Sequence, residues 1–539
     1  MQPRDVTRLE SGPFDLLVVG GGIHGLAIAY EASSRGLKTA LIEAGDFGSG
    51  ASFNHQKTAH GGLRSLQSLR LEKARESIRE RRALARIAPG FVRPLPFIVG
   101  TYRSVAKGRL ALRAGFRLDG WLGRNRNAGI ERELHLPPAK LLSRGMTLKL
   151  FPGVDQKNLT GGAQWYDYQM VENDRLTFAF AAAADAHGAV LANYVEGFEP
   201  IREGGRIAGM IARDRQTGRQ VTIRAALTVN AAGGRAGELA AMFGGKRPMP
   251  LLGAMNLVTS IAPKEVALAA PTRAGQMLTL VPWKGHSIVG TAHSETLSTT
   301  HSGASAAEID SFIREANEAF PALGLSREHI TLVHWGRVPA AVSPGKPPNL
   351  LGTGAISDHA KDGMPGALTV VGVKYTTARA VAQRAVDTAS ASLGRRVRAS
   401  RTATTILPGA GLADHEGLAI ETARRNGLSL SAAVFQRIGA LYAERSAEII
   451  HLMATRPDLC RSLGTHPAAT AAEIVHVIKE EMAVHLTDIV LRRTALGAAG
   501  HPGRDVVDAC ATVAASALGW TDETKAEEIA ELEEVYRIP

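Results

Sequence analysis

Cysteine is nearly absent from this chain of 539 residues, which contains only Cys460 and Cys510. Two cysteines exclude a disulfide-rich scaffold, and their spacing excludes any Cys-x-x-Cys metal or redox motif. We therefore expect the protein to reside in a reducing compartment.

Long apolar runs are also missing from the sequence. No stretch reaches about 18 uninterrupted apolar residues, so we expect no helix that spans a membrane. Residues 1–15 carry charges of both signs around no apolar centre, which predicts no signal peptide. The apolar fraction of 45% and the 57 glycines are typical of a globular chain. Its length predicts about two to four domains.

Acidic residues are scarce in one region, although the formal net charge of the whole chain is only +12. Residues 51–150 hold 21 Lys and Arg against 6 Asp and Glu, whereas residues 521–539 are acidic and predict a solvated final helix. The sequence contains no aromatic-basic platform and no recognition motif for nucleic acid, so we exclude nucleic acid as a partner.

The basic region contains one unusual segment, residues 102–127, in which seven Lys and Arg accompany Asp119 as the sole acid. Apolar and aromatic residues such as Phe116 and Trp121 alternate with these cations. A basic amphipathic helix of this kind suits an anionic bilayer surface. The alternative is a helix packed on its own protein, with the aliphatic parts of its arginines buried.

The first fifty residues carry the pattern of a dinucleotide-binding unit. Phe14–Val19 is a short apolar run, typical of a buried parallel strand, and Gly20, Gly22 and Gly25 follow it at the G-x-G-x-x-G positions. An Ala-rich helix and a second apolar strand then lead to Glu43. The helix N-terminus can bind a pyrophosphate, and the acid can bind an unphosphorylated ribose.

The segment after Glu43 favours FAD over NAD. Residues 44–62 form a loop rich in glycine and polar residues, whereas a nicotinamide enzyme usually resumes a βαβ unit at this point. Small residues along an extended loop suit a long cofactor such as FAD.

Several motifs along the chain resemble one known family, the FAD-dependent (respiratory) glycerol-3-phosphate dehydrogenases of the D-amino-acid-oxidase-like superfamily. The similar segments are GGGIHG (20–25), GDFGSGAS (45–52), KTAHGGLRSL (57–66), APGFVRPLPF (88–97), WYDYQMVENDRLTF (165–178), LTVNAAGGRA (227–236), IVGTAHSE (288–295), VVGVKYTTARAVAQRAVD (370–387) and EMAVHLTDIVLRRTAL (481–496). They are spread from residue 20 to residue 496, so the resemblance extends along nearly the whole chain.

The resemblance implies an α/β (α+β) fold with three parts. A Rossmann-type FAD-binding domain, residues 1–100, 165–240 and 350–395, would be interleaved with a β-sheet substrate domain. The substrate domain would comprise residues 101–164 and 241–349, and a C-terminal all-helical domain would comprise residues 401–539. The family passes hydride from a secondary alcohol to the flavin and then electrons to a quinone at a membrane surface.

The resemblance also implies which residues hold the cofactor. On the adenosine side these are Gly20, Gly22, Gly25 and Glu43. The residues implied around the flavin are Ser49, Ser52, Lys57, His60, Gly61, Gly62, Leu63, Ala232, Gly233, Gly372, Lys374, Thr376 and Thr377.

The substrate site departs from the family pattern at several positions. A family tyrosine is replaced by Ser65, and the family's glycine-serine-histidine segment aligns with 253–256, which holds Asn256 but no histidine. The order glycine-valine-arginine-proline becomes Gly-Arg-Val-Pro, which moves the arginine to position 337. A second family arginine falls near Ser357. Since bidentate arginines are not easily replaced in phosphate recognition, the phosphate clamp is partly dismantled.

Other cations could rebuild an anion pocket, and the candidates are Arg64, Arg337, Lys346, Lys361 and Arg379. As substrate-binding residues we predict Arg64, Asn256, Arg337, Lys374 and Arg379. The leading substrate is glycerol 3-phosphate, oxidised to dihydroxyacetone phosphate. The alternatives are another polyol phosphate or hydroxylated anion as substrate, or a non-catalytic flavoprotein.

The reaction needs a base for the hydroxyl proton. His60 is the first candidate and His293 the second, while Arg337 and Lys374 are candidates for holding negative charge near the reacting carbon. The remaining histidines show no paired spacing typical of a metal site, so we predict no metal.

These inferences predict an FAD-dependent enzyme in the cytoplasm, attached peripherally to the inner face of the cell membrane. Its expected partners are a polyol phosphate or related anion, a quinone or other electron acceptor, and an anionic membrane surface. A homodimer is compatible with the sequence.

Overall fold

A computed structural model describes residues 1–62, 70–103, 109–245, 249–297, 303–412, 414–464 and 469–539. The strands, in chain order, are β1 (Phe14–Val19), β2 (Thr39–Ile42), β3 (Thr58–Ala59), β4 (Val92–Tyr102), β5 (Lys140–Leu142), β6 (Leu159–Met170), β7 (Val190–Ala192), β8 (Val195–Glu203), β9 (Arg206–Asp214), β10 (Gln220–Asn230), β11 (Leu251–Thr259), β12 (Ala267–Pro271), β13 (Met277–Trp283), β14 (His286–Leu297), β15 (Ile330–Ser343), β16 (Lys346–Leu350), β17 (Ala355–Asp358) and β18 (Ala367–Val371).

The α-helices are α1 (Ile23–Ser34), α2 (Leu71–Ile87), α3 (Arg109–Leu122), α4 (Arg144–Leu150), α5 (Asn173–Ala186), α6 (Ala236–Met242), α7 (Ala306–Ala319), α8 (Ala378–Ser392), α9 (His415–Arg425), α10 (Ala432–Tyr442), α11 (Ser446–Thr455), α12 (Ala471–Glu480), α13 (Arg504–Leu518) and α14 (Asp522–Tyr536). A π-helix spans Asp488–Arg493.

The first sheet has the order β17-β18-β10-β1-β2-β7. Its strands from β18 to β7 are parallel, and β1 lies between β10 and β2. Both faces of β1 are covered: Leu16 and Val18 pack with α1, α5 and α8, whereas Leu17 and Val19 pack with β8, β9 and α6. Burial on both faces explains why this strand reads as an unbroken apolar run.

The second sheet has the order β16-β15-β11-β14-β13-β12-β4-β6-β3 and is antiparallel except where β12 runs parallel to β4. Its two faces belong to different cores. Leu257 of β11 packs towards α7. The next residue, Val258, points to the opposite face and joins a core with the C-terminal helices. The second sheet therefore forms the floor on which the C-terminal helices pack.

These elements confirm the fold class expected from the sequence: a Rossmann-type sheet, a second β-sheet layer and a helical C-terminal region. The predicted final helix is present as α14, most of which is exposed, although its Glu528 and Leu532 are buried.

The predicted basic helix is present as α3, and residues 104–108 of that segment lie outside the described residues. Trp121 is 59% exposed, and Arg113, Arg117 and Arg124 are exposed as well. Within the described part of the chain, no helix is both long enough and apolar enough to cross a bilayer.

Candidate active site

The glycine motif forms a tight passage from β1 into α1. Gly20 has a φ of +114°, and a Cβ there would lie 2.6 Å from the carbonyl oxygen of Ala231. A Cβ on Gly25 would lie 1.8 Å from the carbonyl oxygen of Gly20, so α1 rests directly on the turn. Gly22 is the N-cap of α1. The first turn of any α-helix has backbone N–H groups without helical partners, and here that turn faces the end of the sheet.

Glu43 closes one side of this passage. Its Oε2 accepts a hydrogen bond from the Gly21 amide at 2.5 Å, and its Oε1 accepts one from the Gly45 amide at 2.8 Å. Burial raises the pKa of this carboxyl, although both amide hydrogen bonds act in the opposite direction. Each carboxylate oxygen has a second lone pair, which leaves Glu43 able to accept hydroxyl groups from a ribose.

The loop after Glu43 folds over the start of α1. Ser52 accepts a hydrogen bond from the Ile23 amide at 2.9 Å, and the Ser49 amide donates to the Asp46 carbonyl at 3.2 Å. Ala232 follows β10 across the passage, and its amide donates to the side chain of Asn230 at 3.1 Å. Gly233 then begins a 3₁₀ turn. Small residues, amide donors and a buried acid at the carboxyl ends of parallel strands fit a dinucleotide.

Gly372 lies where β18 ends, against the first turn of α1. A Cβ on Gly372 would lie 2.0 Å from the imidazole of His24, so only glycine fits there. His24 is partly buried, and its buried Nε2 has no hydrogen-bond partner within the described residues. Burial lowers the pKa of His24 to about 4.

His60 belongs to a hydrogen-bonded cluster next to the cofactor passage. Its Nδ1 lies 3.1 Å from Oδ2 of Asp167, and its Nε2 lies 2.9 Å from Oγ1 of Thr58. The His60 amide donates to Oγ1 of Thr376 at 3.2 Å, which ties the His-Gly-Gly segment to the turn after β18. Gly61 donates to Asp167, and Gly62 packs against Ser77 of α2.

The turn after β18 carries three of the predicted residues. Lys374 is exposed and precedes the 3₁₀ turn Tyr375–Thr377, while Thr376 and Thr377 are buried. The hydroxyl of Tyr375 lies 2.9 Å from Oγ1 of Thr177, and its ring stacks on His55. The structure therefore brings Thr376 together with His60 and leaves Lys374 at the surface beside them.

Lys57 is fully buried beneath the loop that precedes His60. Its φ is +55°, its Nζ donates to the Phe53 carbonyl, and the rings of Phe53 and Trp283 lie 4.4 and 5.0 Å from the ammonium group. Burial lowers the pKa of Lys57 to about 8, although the charge of Asp174 opposes this. Lys57 holds the loop in place from below.

Asn256 and His293 lie on neighbouring strands of the second sheet. Asn256 is buried on β11 and accepts a hydrogen bond from Thr291 at 2.7 Å. His293, on β14, lies 3.3 Å from the side-chain amide of Gln276. This sheet approaches the loop that follows Glu43. A Cβ placed on Gly336 of the sheet would lie 3.7 Å from Cβ of Ala51 in that loop.

Arg337 packs against the 3₁₀ turn and the helix α6 that follow β10. Its Nη2 donates to the Gly234 carbonyl at 2.6 Å and lies 3.3 Å from Glu238, and its side chain is only 7% exposed. In space, the Arg337 side chain therefore lies next to Gly234, the residue that follows the predicted cofactor contacts Ala232 and Gly233.

The guanidinium of Arg379 is already paired with a buried carboxylate. It makes two hydrogen bonds to Glu80, at 2.7 and 2.8 Å, in the buried interior between α2 and α8. Leu63 and Arg64 lie outside the described residues, as does the side chain of Lys346; Lys361 is exposed.

In the described ranges, one group of three side chains has the spacing of possible metal ligands. These are His485, Glu528 and Glu531, whose ligand atoms lie within 4.8 Å of one another. Both ring nitrogens of His485 already have partners: Glu528 at 2.6 Å and Gln216 at 2.8 Å. The absence of a metal stays a prediction.

Sequence reasoning missed the buried charges that support the site. Asp167 is bonded to His60 and Arg81, and Asp46 is bonded to Arg492 and Arg493. The available signal was the charged Asp167 between the aromatic residues Tyr166 and Tyr168 of β6.

Comparisons with known proteins agree with this geometry. Residues 15–387 match the family described as FAD dependent oxidoreductase, and residues 400–525 match the C-terminal domain of alpha-glycerophosphate oxidase. A glycerol-3-phosphate dehydrogenase of Synechocystis is 30% identical over 96% of this chain and 96% of its own. One from Mycobacterium leprae is 32% identical over 97% of this chain and 88% of its own.

Solved structures show the same fold. The glycerol-3-phosphate dehydrogenase from Bacillus halodurans, determined with FAD, has a TM-score of 0.76 at 22% identity and covers 98% of this chain and 96% of its own. The L-alpha-glycerophosphate oxidase from Mycoplasma pneumoniae, also with FAD, has a TM-score of 0.52 at 16% identity over 73% of this chain and 99% of its own. FAD is thus confirmed as the cofactor. The chain belongs to the FAD-dependent oxidoreductase family and, over nearly its whole length, to the glycerol-3-phosphate dehydrogenases within it.

Proposed function

We propose that this protein oxidises the secondary alcohol of sn-glycerol 3-phosphate to the ketone of dihydroxyacetone phosphate, with FAD as the hydride acceptor. The observation that carries the proposal is His60, a partly exposed histidine whose amide binds Thr376 at the end of β18. Relatives named glycerol-3-phosphate dehydrogenase, at 30 and 32% identity over nearly the whole chain, support the choice of substrate.

The cofactor site proposed here follows the passage between β1 and α1. Gly20, Gly22, Gly25 and Glu43 would hold the adenosine and pyrophosphate portions, because α1 offers its first-turn amides there. The remaining proposed contacts are Ser49, Ser52, His60, Gly61, Gly62, Ala232, Gly233, Gly372, Lys374, Thr376 and Thr377. Lys57 would support the loop from beneath. When bound, FAD supplies the two-electron acceptor for the alcohol.

His60 is the proposed base, because its Nε2 is the ring nitrogen farther from Asp167 and its side chain is 49% exposed. A base must lie within hydrogen-bond reach of the proton that it removes. His293 stays the second candidate, since it lies on the substrate sheet.

A polar pocket beside the His60–Gly62 segment supplies a place for the phosphate. Its described lining includes Lys73, Glu76, Ser77, Thr353, Lys374, Thr377 and Arg384. The carboxylate of Glu76 is paired with Arg384, which leaves the two lysines as the cations for a phosphate. Ser77 also packs against Gly62, which places the pocket next to the proposed base. Two lysines and several hydroxyls can bind a phosphate as point charges and donors, without the arginine pair of the family.

Arg337 and Asn256 remain proposed contacts on the substrate-sheet side. Arg379 is left out, because Glu80 already holds its guanidinium in a buried ion pair.

The electron acceptor is proposed to be a membrane quinone, reached while α3 rests on an anionic bilayer. The support is the exposed Trp121 beside the exposed Arg113, Arg117 and Arg124. Exposed arginines are attracted to anionic lipids, and tryptophan favours the interface.

Anaerobic flavin reduction tests the function. The purified holoenzyme is mixed with glycerol 3-phosphate, and the flavin absorbance near 450 nm is followed in a stopped-flow instrument. Bleaching within the turnover time supports the proposal. Bleaching only by another polyol phosphate or hydroxy acid would reassign the substrate, as the altered arginine positions allow, and no bleaching by any alcohol would overturn an enzymatic function.

A further inference from the structure

The ring of His60 is fixed by contacts at both nitrogens. Asp167 lies on its Nδ1 side at 3.1 Å and Thr58 on its Nε2 side at 2.9 Å. The ring of Phe97 packs edge-on against the imidazole, with the ring centroids 5.7 Å apart. These contacts limit the rotation of the imidazole, so the two nitrogens cannot exchange places without breaking the cluster.

The carboxylate of Asp167 has donors at both oxygens. Its Oδ1 accepts from the Gly61 amide at 2.7 Å and from Nη1 of Arg81, while the indole N–H of Trp165 reaches its Oδ2 at 3.3 Å. Burial alone would raise the pKa of Asp167, but the His60 hydrogen bond and the Arg81 charge outweigh it and lower the pKa. Asp167 is therefore ionised at neutral pH and can only accept hydrogen bonds.

An ionised Asp167 determines where the imidazole proton lies. An acceptor-only carboxylate at Nδ1 requires the Nδ1–H tautomer, which leaves a lone pair at Nε2. Thr58 then donates its hydroxyl hydrogen to Nε2. A substrate hydroxyl that takes the place of Thr58 would meet the same lone pair.

Gly61 makes this arrangement sterically feasible. A Cβ at Gly61 would lie 2.2 Å from Nη1 of Arg81 and would push the guanidinium away from Asp167. The glycine after His60 thus serves the ion pair as well as the cofactor passage.

We propose that Asp167 is a positioning residue that holds His60 in its Nδ1–H tautomer, with Arg81 holding Asp167 in turn, so that Nε2 receives the proton of the substrate hydroxyl. This inference rests on the proposed function. The substrate C–H bond breaks with its electron pair going to the flavin, the O–H bond breaks with its proton going to Nε2, and the carbon–oxygen double bond forms. The resulting imidazolium is paired with Asp167 and later releases its proton through its exposed edge.

The titratable groups around His60 come from several elements. Asp167 lies on β6, Arg81 on α2, and His55 on the preceding loop close enough to interact electrostatically with His60. Phe97 on β4 and Thr376 after β18 add neutral contacts. Asp167 is the one carboxylate in this described set, so its removal changes the imidazole's only anionic partner there.

The test is Asp167→Asn in the full-length holoenzyme, assayed by anaerobic flavin reduction. An asparagine amide can donate to Nδ1 and so favours the Nε2–H tautomer, which has no lone pair at Nε2 to receive the substrate proton. We expect the limiting rate of reduction to fall about 100- to 10,000-fold. The substrate concentration for half-maximal rate should change less than about threefold, and dithionite should still reduce the flavin fully.

Two further variants separate positioning from packing. Asp167→Glu keeps the charge and should recover a large part of the lost rate. Glu473→Gln breaks a comparable buried ion pair, with Arg437 in the C-terminal region, and should leave the rate unchanged. If Asp167→Asn gives no folded holoenzyme because Arg81 is left unpaired, the double variant Asp167→Asn with Arg81→Met removes both charges and carries the same comparison.

Equal rates for the wild type and Asp167→Asn would overturn the inference and leave the proposed function standing. A rate for Asp167→Glu as low as that for Asp167→Asn would also overturn it, since packing alone would then explain both. A wild type that no alcohol reduces would instead contradict the proposed function, which makes the two failures distinguishable.

Discussion

Asp46 and Arg493 form a bidentate ion pair between the loop that follows Glu43 and the C-terminal helices. Nη1 of Arg493 lies 2.9 Å from Oδ2 of Asp46, and Nη2 lies 2.8 Å from Oδ1. Arg492 adds a third hydrogen bond at 2.6 Å. Asp46 follows Glu43 by three residues, so the π-helix Asp488–Arg493 holds the loop that the cofactor is proposed to cross. A distant part of the chain therefore shapes the adenosine side of the site.

Asp46→Asn is expected to weaken both the fold and FAD retention. Removing one partner of a buried ion pair costs about 3–5 kcal/mol, because the two arginines stay buried without their anion. Thermal unfolding and the ratio of flavin to protein absorbance after gel filtration measure the two effects. Glu421→Gln, which breaks an exposed pair with Arg424, is the matched control and should change neither. Normal FAD content in Asp46→Asn would show that the ion pair between Asp46 and Arg493 does not support the cofactor site.

Gly25→Ala is expected to prevent the cofactor passage from forming. Its Cβ would lie 1.8 Å from the Gly20 carbonyl oxygen, a distance that only a shift of α1 away from the turn can relieve. We expect protein that lacks bound FAD or is insoluble, as read from its absorbance spectrum and soluble yield. Gly115→Ala on the exposed helix α3 meets no neighbouring atom and should raise stability by about 0.5–1 kcal/mol. A yellow, stable Gly25→Ala protein would refute the steric argument.

Stability is expected to decline as the pH falls below about 6.5, the ordinary value for an unfolded histidine. Burial lowers the pKa of His24 to about 4 and that of His55 to about 3. Below pH 6.5 these two histidines therefore bind protons in the unfolded chain but stay neutral in the folded chain. Such groups contribute stability above the unfolded pKa and lose it as the pH falls. Urea unfolding between pH 8 and 5 measures the slope. His55→Gln should flatten it, and an unchanged slope would show that His55 takes up protons equally in the folded and unfolded states.

A second loss of stability is expected below about pH 4. Arg493 and Arg492 lower the pKa of Asp46 to about 2, against the effect of burial, and Arg175 similarly lowers the pKa of Glu481 to about 2. Carboxyls with depressed pKa values stabilise the fold above their unfolded value of about 4 and lose that contribution as they become protonated. Asp46→Asn should therefore be less sensitive to pH from 4 to 2.5 than the wild type, as followed by circular dichroism.

Replacing Arg113, Arg117 and Arg124 by glutamate is expected to abolish binding to anionic vesicles. Each exposed arginine near an anionic surface contributes about 1 kcal/mol, and the attraction is screened by salt. Vesicle sedimentation with phosphatidylglycerol at low and high salt measures binding. A variant with glutamate at Arg424, Arg425 and Arg456 has the same net charge, changed on exposed C-terminal helices, and should still bind. Equal binding by both variants would contradict the role of α3.

Local patterns in the sequence predicted the cofactor half well. The expected strand Phe14–Val19 matches β1 to the residue, because burial on both faces makes it continuously apolar. The Ala-rich helix expected after the glycines is α1, which begins at Ile23 directly after Gly22. Such elements are defined by neighbouring residues, and a single sequence records them.

Contacts between distant segments could not be predicted in the same way. The pair Asp46–Arg493 and the pair Asp167–Arg81 join residues that no periodicity relates. Arg379 illustrates the reverse case: its charge suggested an anion pocket, yet Glu80 on another helix neutralises it. A cation's availability depends on its buried neighbours, which become visible only in three dimensions.

The strand order has a consequence for how the protein is made. β1 emerges early from the ribosome, but its neighbour β10 ends at residue 230 and β18 ends at residue 371. The first βαβ unit therefore keeps an unpaired apolar edge until residue 230 of the 539 has been added, and Asp46 lacks its partner until Arg493 has been added. Nascent chains with such edges aggregate readily. The adenosine side of the site is therefore complete only after nearly the whole chain has been made, and we expect FAD to bind after the C-terminal helices have been added.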